Sequence, residues 1–206
     1  TLFQGETAPE LGQFMDRMMA LDVEAVTMAP GYSYERAPRQ DVFLKRESSK
    51  QLFRDLFKLG KGRNWRFNQS PLYMDFLAGN QTYHCTPWGA VTRNVFGWQK
   101  PCYLLVGEGY ATSFKGLMEE TPWERYGTGV NPKCANCMMH CGYEMTAVED
   151  TFSHPLKAAK VAFFGPRTDG PMAPEVPFRY PEAVPSPARV EQPSTASSEA
   201  DSKRVA

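Results

Sequence analysis

A chain of 206 residues with 42% hydrophobic and 13% aromatic side chains has material for a packed core of ordinary domain size, which excludes a wholly disordered protein. Its 23 basic and 23 acidic residues balance to zero, so net charge gives no reason to expect nucleic acid as a partner. No run of 18 apolar residues is present, which excludes a membrane-spanning helix.

The first residues, Thr1-Leu2-Phe3-Gln4-Gly5-Glu6, have neither an initiator Met nor the basic and apolar regions of a signal peptide. The expectation is a cut start and a cytoplasmic protein. Thr1-Leu2-Phe3 reads as the end of a strand. Thr7-Ala8-Pro9-Glu10 has the form of a capping box, and Leu11, Phe14, Met15, Met18 and Leu21 follow at helical spacing. Val23–Met28 is β-prone and stops at Pro30-Gly31. Strand, helix and strand in so short a span predict part of a parallel α/β sheet, with its partner strands lying before Thr1.

Leu52, Phe53, Leu56, Phe57 and Leu59 mark an amphipathic helix from Ser48 that stops at Gly60. Ser70-Pro71 supplies a cap and a first-turn proline for a second helix, ended by Gly79. Val91–Phe96 and Cys102–Val106 are expected as two strands around a turn at Gly97. Thr121-Pro122-Trp123-Glu124 has the form of a helix start, and His154-Pro155 opens a short helix through Phe164. From Gly165 onward 42 residues carry eight prolines and two aromatics, Phe178 and Tyr180, and predict a disordered tail. There are no internal repeats.

The chemistry lies in five cysteines: Cys85, Cys102, Cys134, Cys137 and Cys141. An odd count without an export signal argues against a disulfide framework and for thiolate ligands. Cys134-Ala135-Asn136-Cys137 is a CxxC, and Cys141 follows after three more residues. Two sulfurs so spaced on a tight turn can face one metal at about 2.3 Å, as in zinc and iron–sulfur sites. A chain reversal at Gly97 would bring Cys85 and Cys102 together as the other pair. Four thiolates suit zinc and iron–sulfur alike, and the fifth cysteine is spare. His84 and His140 lack the HxxxH spacing of mixed zinc fingers and are expected beside the site, not as ligands.

Four stretches, Gly31–Ala37, Asp75–Gly89, Phe96–Leu104 and Cys134–Glu144, resemble the adenosylhopene synthases, the radical SAM (S-adenosylmethionine) family of hopanoid biosynthesis. The resemblance runs from about Thr1 to Pro174. It implies the end of a radical SAM partial (β/α)6 barrel over 1–40, a small α+β cysteine-rich domain over 41–164, and a disordered tail over 165–206. The spacing of Cys85, Gly97, Cys102, Cys134 and Cys137 is also similar to the auxiliary-cluster domains called SPASM and twitch. The implied reaction adds the 5′-deoxyadenosyl radical from S-adenosylmethionine to the alkene of diploptene, giving adenosylhopane. The implied cofactors are a [4Fe-4S] cluster and S-adenosylmethionine, with flavodoxin or ferredoxin as electron donor. The radical SAM motif CxxxCxxC is absent from these residues, so the catalytic motif would lie upstream of Thr1 and this chain alone would be inactive. Two readings stand beside this one: a fragment of a radical SAM peptide maturase, and a freestanding zinc or iron–sulfur binding protein.

In such a barrel the loop after Val23–Met28 lies at the carboxyl ends of the strands, where active sites sit. Tyr32, Glu35 and Arg36, with Tyr34 beside them, are therefore candidate cofactor-binding residues. Gly107-Glu108-Gly109 lacks the third glycine of a dinucleotide fingerprint and reads as a turn. Lys61–Phe67 interleaves bases and aromatics but reads as a solvated loop. A C30 hydrocarbon lives in the bilayer, so peripheral contact with the inner membrane face is expected. His154–Phe164 has the composition of a short interfacial helix, its alternative being a helix packed on the domain.

Overall fold

The expected capping box forms. The Glu10 carboxylate accepts from the Thr7 N–H at 3.1 Å and from its hydroxyl at 2.7 Å, and starts helix α1 (Ala8–Ala20). In the computed structural model, which describes residues 1–32, 34 and 37–179, α1 turns Leu11 and Met15 inward and leaves Phe14 and Leu21 exposed. Helix α2 (Arg46–Gly60) follows, with Phe53 and Leu56 fully buried.

Around these two helices the chain makes two parallel bridges, Leu2 to Pro30 and Val26 to Phe67. The segment 26–30 therefore has parallel neighbours on both sides, reached through α1 and through α2. The pairing stays at single bridges. Next to Val26 a side chain takes over: the Gln69 amide accepts from the Met28 N–H at 3.1 Å and donates to its carbonyl. The expected strand–helix–strand is thus present in outline, and the described residues contain no barrel.

Ser70 caps α3 (Pro71–Leu77) by accepting from the Tyr73 N–H at 3.3 Å, and every residue from Leu72 to Leu77 is buried. A three-stranded antiparallel sheet comes next, β1 (Arg93–Asn94), β2 (Gly97–Gln99) and β3 (Tyr110–Ala111) in that spatial order. Two strand expectations are corrected here. The turn lies at Val95-Phe96, and Gly97 belongs to β2. Its φ of +129° and the Ala111 carbonyl, 2.6 Å from where a Cβ would stand, admit only glycine. Cys102–Val106 is not a strand, because Pro101 has no N–H to continue the ladder and the chain coils into a 3₁₀ turn at Val106–Glu108.

Helix α4 (Phe114–Glu120), capped by Ser113, ends where a helix was expected to begin. Thr121-Pro122 leads only to a 3₁₀ turn at Trp123–Arg125. Helix α5 (His140–Ser153) had no counterpart in the sequence reading, and α6 (Pro155–Phe164) had. The Phe76 ring of α3 stacks on Tyr143 of α5 with centroids 4.6 Å apart. One buried cluster runs from Leu2 and Met15 through Phe53 and Phe76 to Tyr143 and Ala158, across the expected boundary at residue 40. No helix of the described residues is long and apolar enough to cross a membrane.

The expectation of disorder from Gly165 is corrected for 165–179. Without regular structure, these residues run back over the domain as a strap. Ala173 N–H donates to Gly79 O at 2.8 Å and Arg179 N–H to Gly129 O at 2.7 Å. Thr82 hydroxyl reaches Pro174 O at 2.7 Å. Backbone hydrogen bonds, side-chain donors from Arg54, Asn80 and Thr82, and the strap's own carboxylate Glu175 hold it where apolar area is scarce. Residues 180–206 lie outside the described residues.

Glu175 pairs with Arg46 at 2.8 Å and with Lys50, whose side chains are 8% and 3% exposed. Burial alone would raise its carboxyl, but Lys50 and Arg46 outweigh that and hold it below the ordinary 4.5. Glu175→Gln should lower stability by about 1 kcal/mol, a modest value because the carboxylate is half exposed. A carboxyl depressed in the folded state stabilises above its unfolded value and loses that as pH falls through the folded value. Thermal melts of both proteins should therefore differ above pH 4.5 and converge below it; a constant difference at all pH values would show that the ion pairs contribute nothing.

Candidate metal centre

All five cysteines line one cavity of about 30 Å³, closed by Tyr32, Pro101, Leu105, Tyr126 and Tyr143 among others. None is in a disulfide. Three stretches of chain deliver them, and each is fixed by its own polar contacts.

The CxxC is set by Asn131, whose side chain accepts from the Lys133 N–H at 3.0 Å, and by Pro132, which opens a 3₁₀ turn ending at Cys134. Within the motif, the Asn136 side chain accepts from the Arg46 N–H at 3.2 Å, so the loop itself satisfies a donor at the start of α2. Arg46 returns the contact by donating its guanidinium to Cys137 O at 2.6 Å. That guanidinium also lies over the Phe76 and Tyr143 rings, 5.1 and 5.4 Å from their centroids.

Cys141 sits in the first turn of α5. The Cys85 stretch docks on the same turn: the Thr86 N–H and hydroxyl both donate to Gly142 O, at 2.8 and 2.9 Å. A Cβ at Gly142 would overlap the Cys85 sulfur, so the missing side chain is the seat of Cys85. Cys102 follows buried Pro101, with Leu105 N–H donating to its carbonyl at 3.3 Å. The hairpin does not supply this convergence as the sequence suggested. Cys102 lies past its second strand, and the loop returns through the turn at Val106–Glu108. Glu108 then ties it to Tyr126 at 2.8 Å and to Lys133 at 3.3 Å.

Electrostatics say what such a chamber can hold. Burial, then the neighbouring cysteines, push the Cys85 and Cys137 thiols far up. Burial likewise pushes Cys134 and Cys141 up to about 11. Against this, N–H groups point at sulfur: Gly127 at Cys134, Met139 at Cys137, and Gly142 together with the Tyr103 hydroxyl at Cys141. Donors aimed at buried sulfur favour thiolate, while burial and mutual repulsion forbid several thiolates at once. A positive centre among them would offset both burial and repulsion, so the donor set fits a thiolate-bound metal group. Among the described residues no three His, Cys, Asp or Glu side chains converge as a single ion requires. The sulfurs surround a chamber instead.

Of the other expected site residues, Tyr32 lines this same chamber, and its hydroxyl donates at 2.6 Å to Lys133 O, next to Cys134. Glu35 and Arg36 lie outside the described residues. His84 and His140 are exposed. Sequence reasoning passed over Arg46, Tyr103, Asn136 and Gly142. Only Gly142 carried a signal, a glycine directly after a cysteine inside what proves to be a helix.

Gly142→Ala should keep the helix, since alanine is about 1 kcal/mol the better helix former. It should also displace Cys85 and lower the iron retained after anaerobic loading. Wild-type iron content in a folded Gly142→Ala protein would show that Cys85 is not a ligand.

A family model described as Domain of unknown function (DUF3463) matches residues 26–161, the span that holds α2 to α5 and all five cysteines. No curated protein and no solved structure matches the chain.

Proposed function

On the premise that the chain belongs to the DUF3463 family, we propose that its five-cysteine chamber holds an iron–sulfur cluster within a radical SAM adenosyltransferase. The reaction is transfer of the 5′-deoxyadenosyl group of S-adenosylmethionine to diploptene, giving adenosylhopane. The observation that supports the cluster is the meeting of five cysteines, none in a disulfide, from stretches up to 56 residues apart, around one sheltered chamber with N–H donors aimed at sulfur. Four thiolates suit zinc and iron–sulfur alike, and the choice of a cluster rests on the resemblance to the radical SAM family. The substrate and the reaction rest on the resemblance of Asp75–Gly89, Phe96–Leu104 and Cys134–Glu144 to the adenosylhopene synthases.

A bound cluster supplies one-electron transfer. The chain's own residues shape the conditions for it. Cys134 and Cys137 with two of the other three cysteines hold the group. Tyr32, Leu105 and Tyr143 keep water from it, and the Tyr103 hydroxyl and backbone N–H groups stabilise charge on sulfur. Tyr32, on the loop after the 26–30 segment, is the residue placed to report on a ligand bound beside the centre.

Anaerobic loading with ferrous iron and sulfide should give about one cluster per chain, read by iron and sulfide analysis and by electron paramagnetic resonance after reduction. Serine replacement of the cysteines one at a time should lower iron content at four positions and spare the fifth. Full iron content in all five variants would sink the cluster reading, and stoichiometric zinc in its place would do the same. The reaction has a separate check. The full enzyme, given S-adenosylmethionine, diploptene and reduced flavodoxin, should yield adenosylhopane. An intact cluster with no such product would remove the hopene reading alone.

A further inference from the structure

Apolar side chains at one end of the protein face outward. Phe152 on α5 and Leu156, Phe163 and Phe164 on α6 are 81, 86, 83 and 71% exposed. Leu156 and Phe163, seven residues apart on α6, share one face of that helix, and Phe152 ends α5 just before the break at His154. Helix α6 meets the domain through its opposite side, where Ala158 is buried and Val161 half-buried. Phe163 and Phe164 stand together at the tip, their rings edge to face with centroids 5.0 Å apart.

The surroundings of that tip are basic. Lys61, Lys157, Lys160 and Arg167 share a shallow hollow with Phe164. Lys61 and Arg63 border a second one with Phe163 and Phe164. Two acids lie in the first hollow, Asp75 and Asp169. The Asp75 carboxylate is occupied by the amides of Asn80 at 2.7 Å and Gln81 at 2.5 Å. Asp150 answers Lys157 and Asp16 answers Arg63. Zero net charge for the chain thus conceals a local excess of cations around a pair of aromatic rings.

We infer that this end docks on an anionic lipid surface. Phe152, Leu156, Phe163 and Phe164 enter the interfacial layer, and Lys61 and Lys160 reach the lipid phosphates. Aromatic rings flanked by long basic side chains match the boundary between headgroups and acyl chains, where the ring is apolar and the ammonium stays wet. A protein partner buried against the same stripe would have to strand or pair several lysines, whereas a phosphate-rich plane answers all of them at once. At 1.5 Å per residue the ten residues of α6 reach about 15 Å, half the hydrocarbon thickness, so the helix lies on the surface and does not cross it. No property of the cysteine centre is used, so either inference can fail without the other.

The test is co-sedimentation of the full chain with vesicles of phosphatidylcholine alone or mixed with phosphatidylglycerol, at low and high salt. Partitioning should need the anionic lipid and should fall with salt. Lys160→Ala should weaken it about fivefold, the share of one surface lysine. Phe163→Ser/Phe164→Ser should weaken it by about tenfold or more. Both rings are exposed, so the double variant should keep the parent's circular dichroism and melting temperature. Equal partitioning of parent and double variant, or equal binding to neutral and anionic vesicles, would overturn the inference. So would absence of vesicle binding together with a parent that is dimeric and a double variant that is monomeric, which would assign the stripe to a second copy of the chain.

Discussion

Arg46 cannot leave its place without undoing several parts of the molecule at once. Its backbone N–H is satisfied by Asn136 inside the CxxC, and its guanidinium by Cys137 O and Glu175. Phe76 and Tyr143 supply ring faces on its flank. A buried guanidinium is costly unless every donor is met. Meeting them here draws together the start of α2, the cysteine loop, the α3–α5 core and the strap 165–179. Lys50, one turn further along α2 and almost fully buried, leans on the same carboxylate. The strap is therefore part of the site's foundation, although it contributes no regular structure and little apolar area.

The cysteines pose the opposite electrostatic problem. Hydrogen-bond donors at Cys134, Cys137 and Cys141 favour thiolate there, while burial, the largest influence at each of these sulfurs and at Cys85, resists it. Arg46 relieves this only in part: it lowers the thiol of Cys85, by far the smaller influence beside burial. Backbone N–H groups of Gly127, Met139 and Gly142 and the Tyr103 hydroxyl stabilise charge at the other sulfurs.

What the sequence made legible follows from the range of the interactions. The Thr7 capping box, the Ser70-Pro71 start, the apolar spacing of α2 and the His154-Pro155 opening are local signals, and each produced its helix. The cysteine spacing pointed to one shared site, and all five line one chamber. Failures came where distant contacts decide. Gly97 reads as a turn by propensity, yet it sits in β2 because the Ala111 carbonyl needs the room. Thr121-Pro122 reads as a helix start, yet Thr121 ends α4, its hydroxyl bonded back to Leu117 O at 2.5 Å. Helix α5 escaped notice because its polar and apolar residues hardly segregate: it is covered by α3 on one side and α6 on another. A proline-rich strap looks disordered by composition, because nothing in 165–179 shows that Gly79, Gly129 and two buried cations await it.

The distances along the chain between these partners bear on when the centre can come into being. Asn136 meets Arg46 across 90 residues and Glu175 meets it across 129. Contacts of such separation close late, after the entropy of the intervening loops has been overcome. A nascent chain emerging from the ribosome has released α2 and α3 long before the carboxylate that settles Arg46 and Lys50. Until then Cys85 and Cys102 are ordinary mobile thiols, open to oxidation. Convergence of the five cysteines is consequently an event of the finished fold, completed only after synthesis.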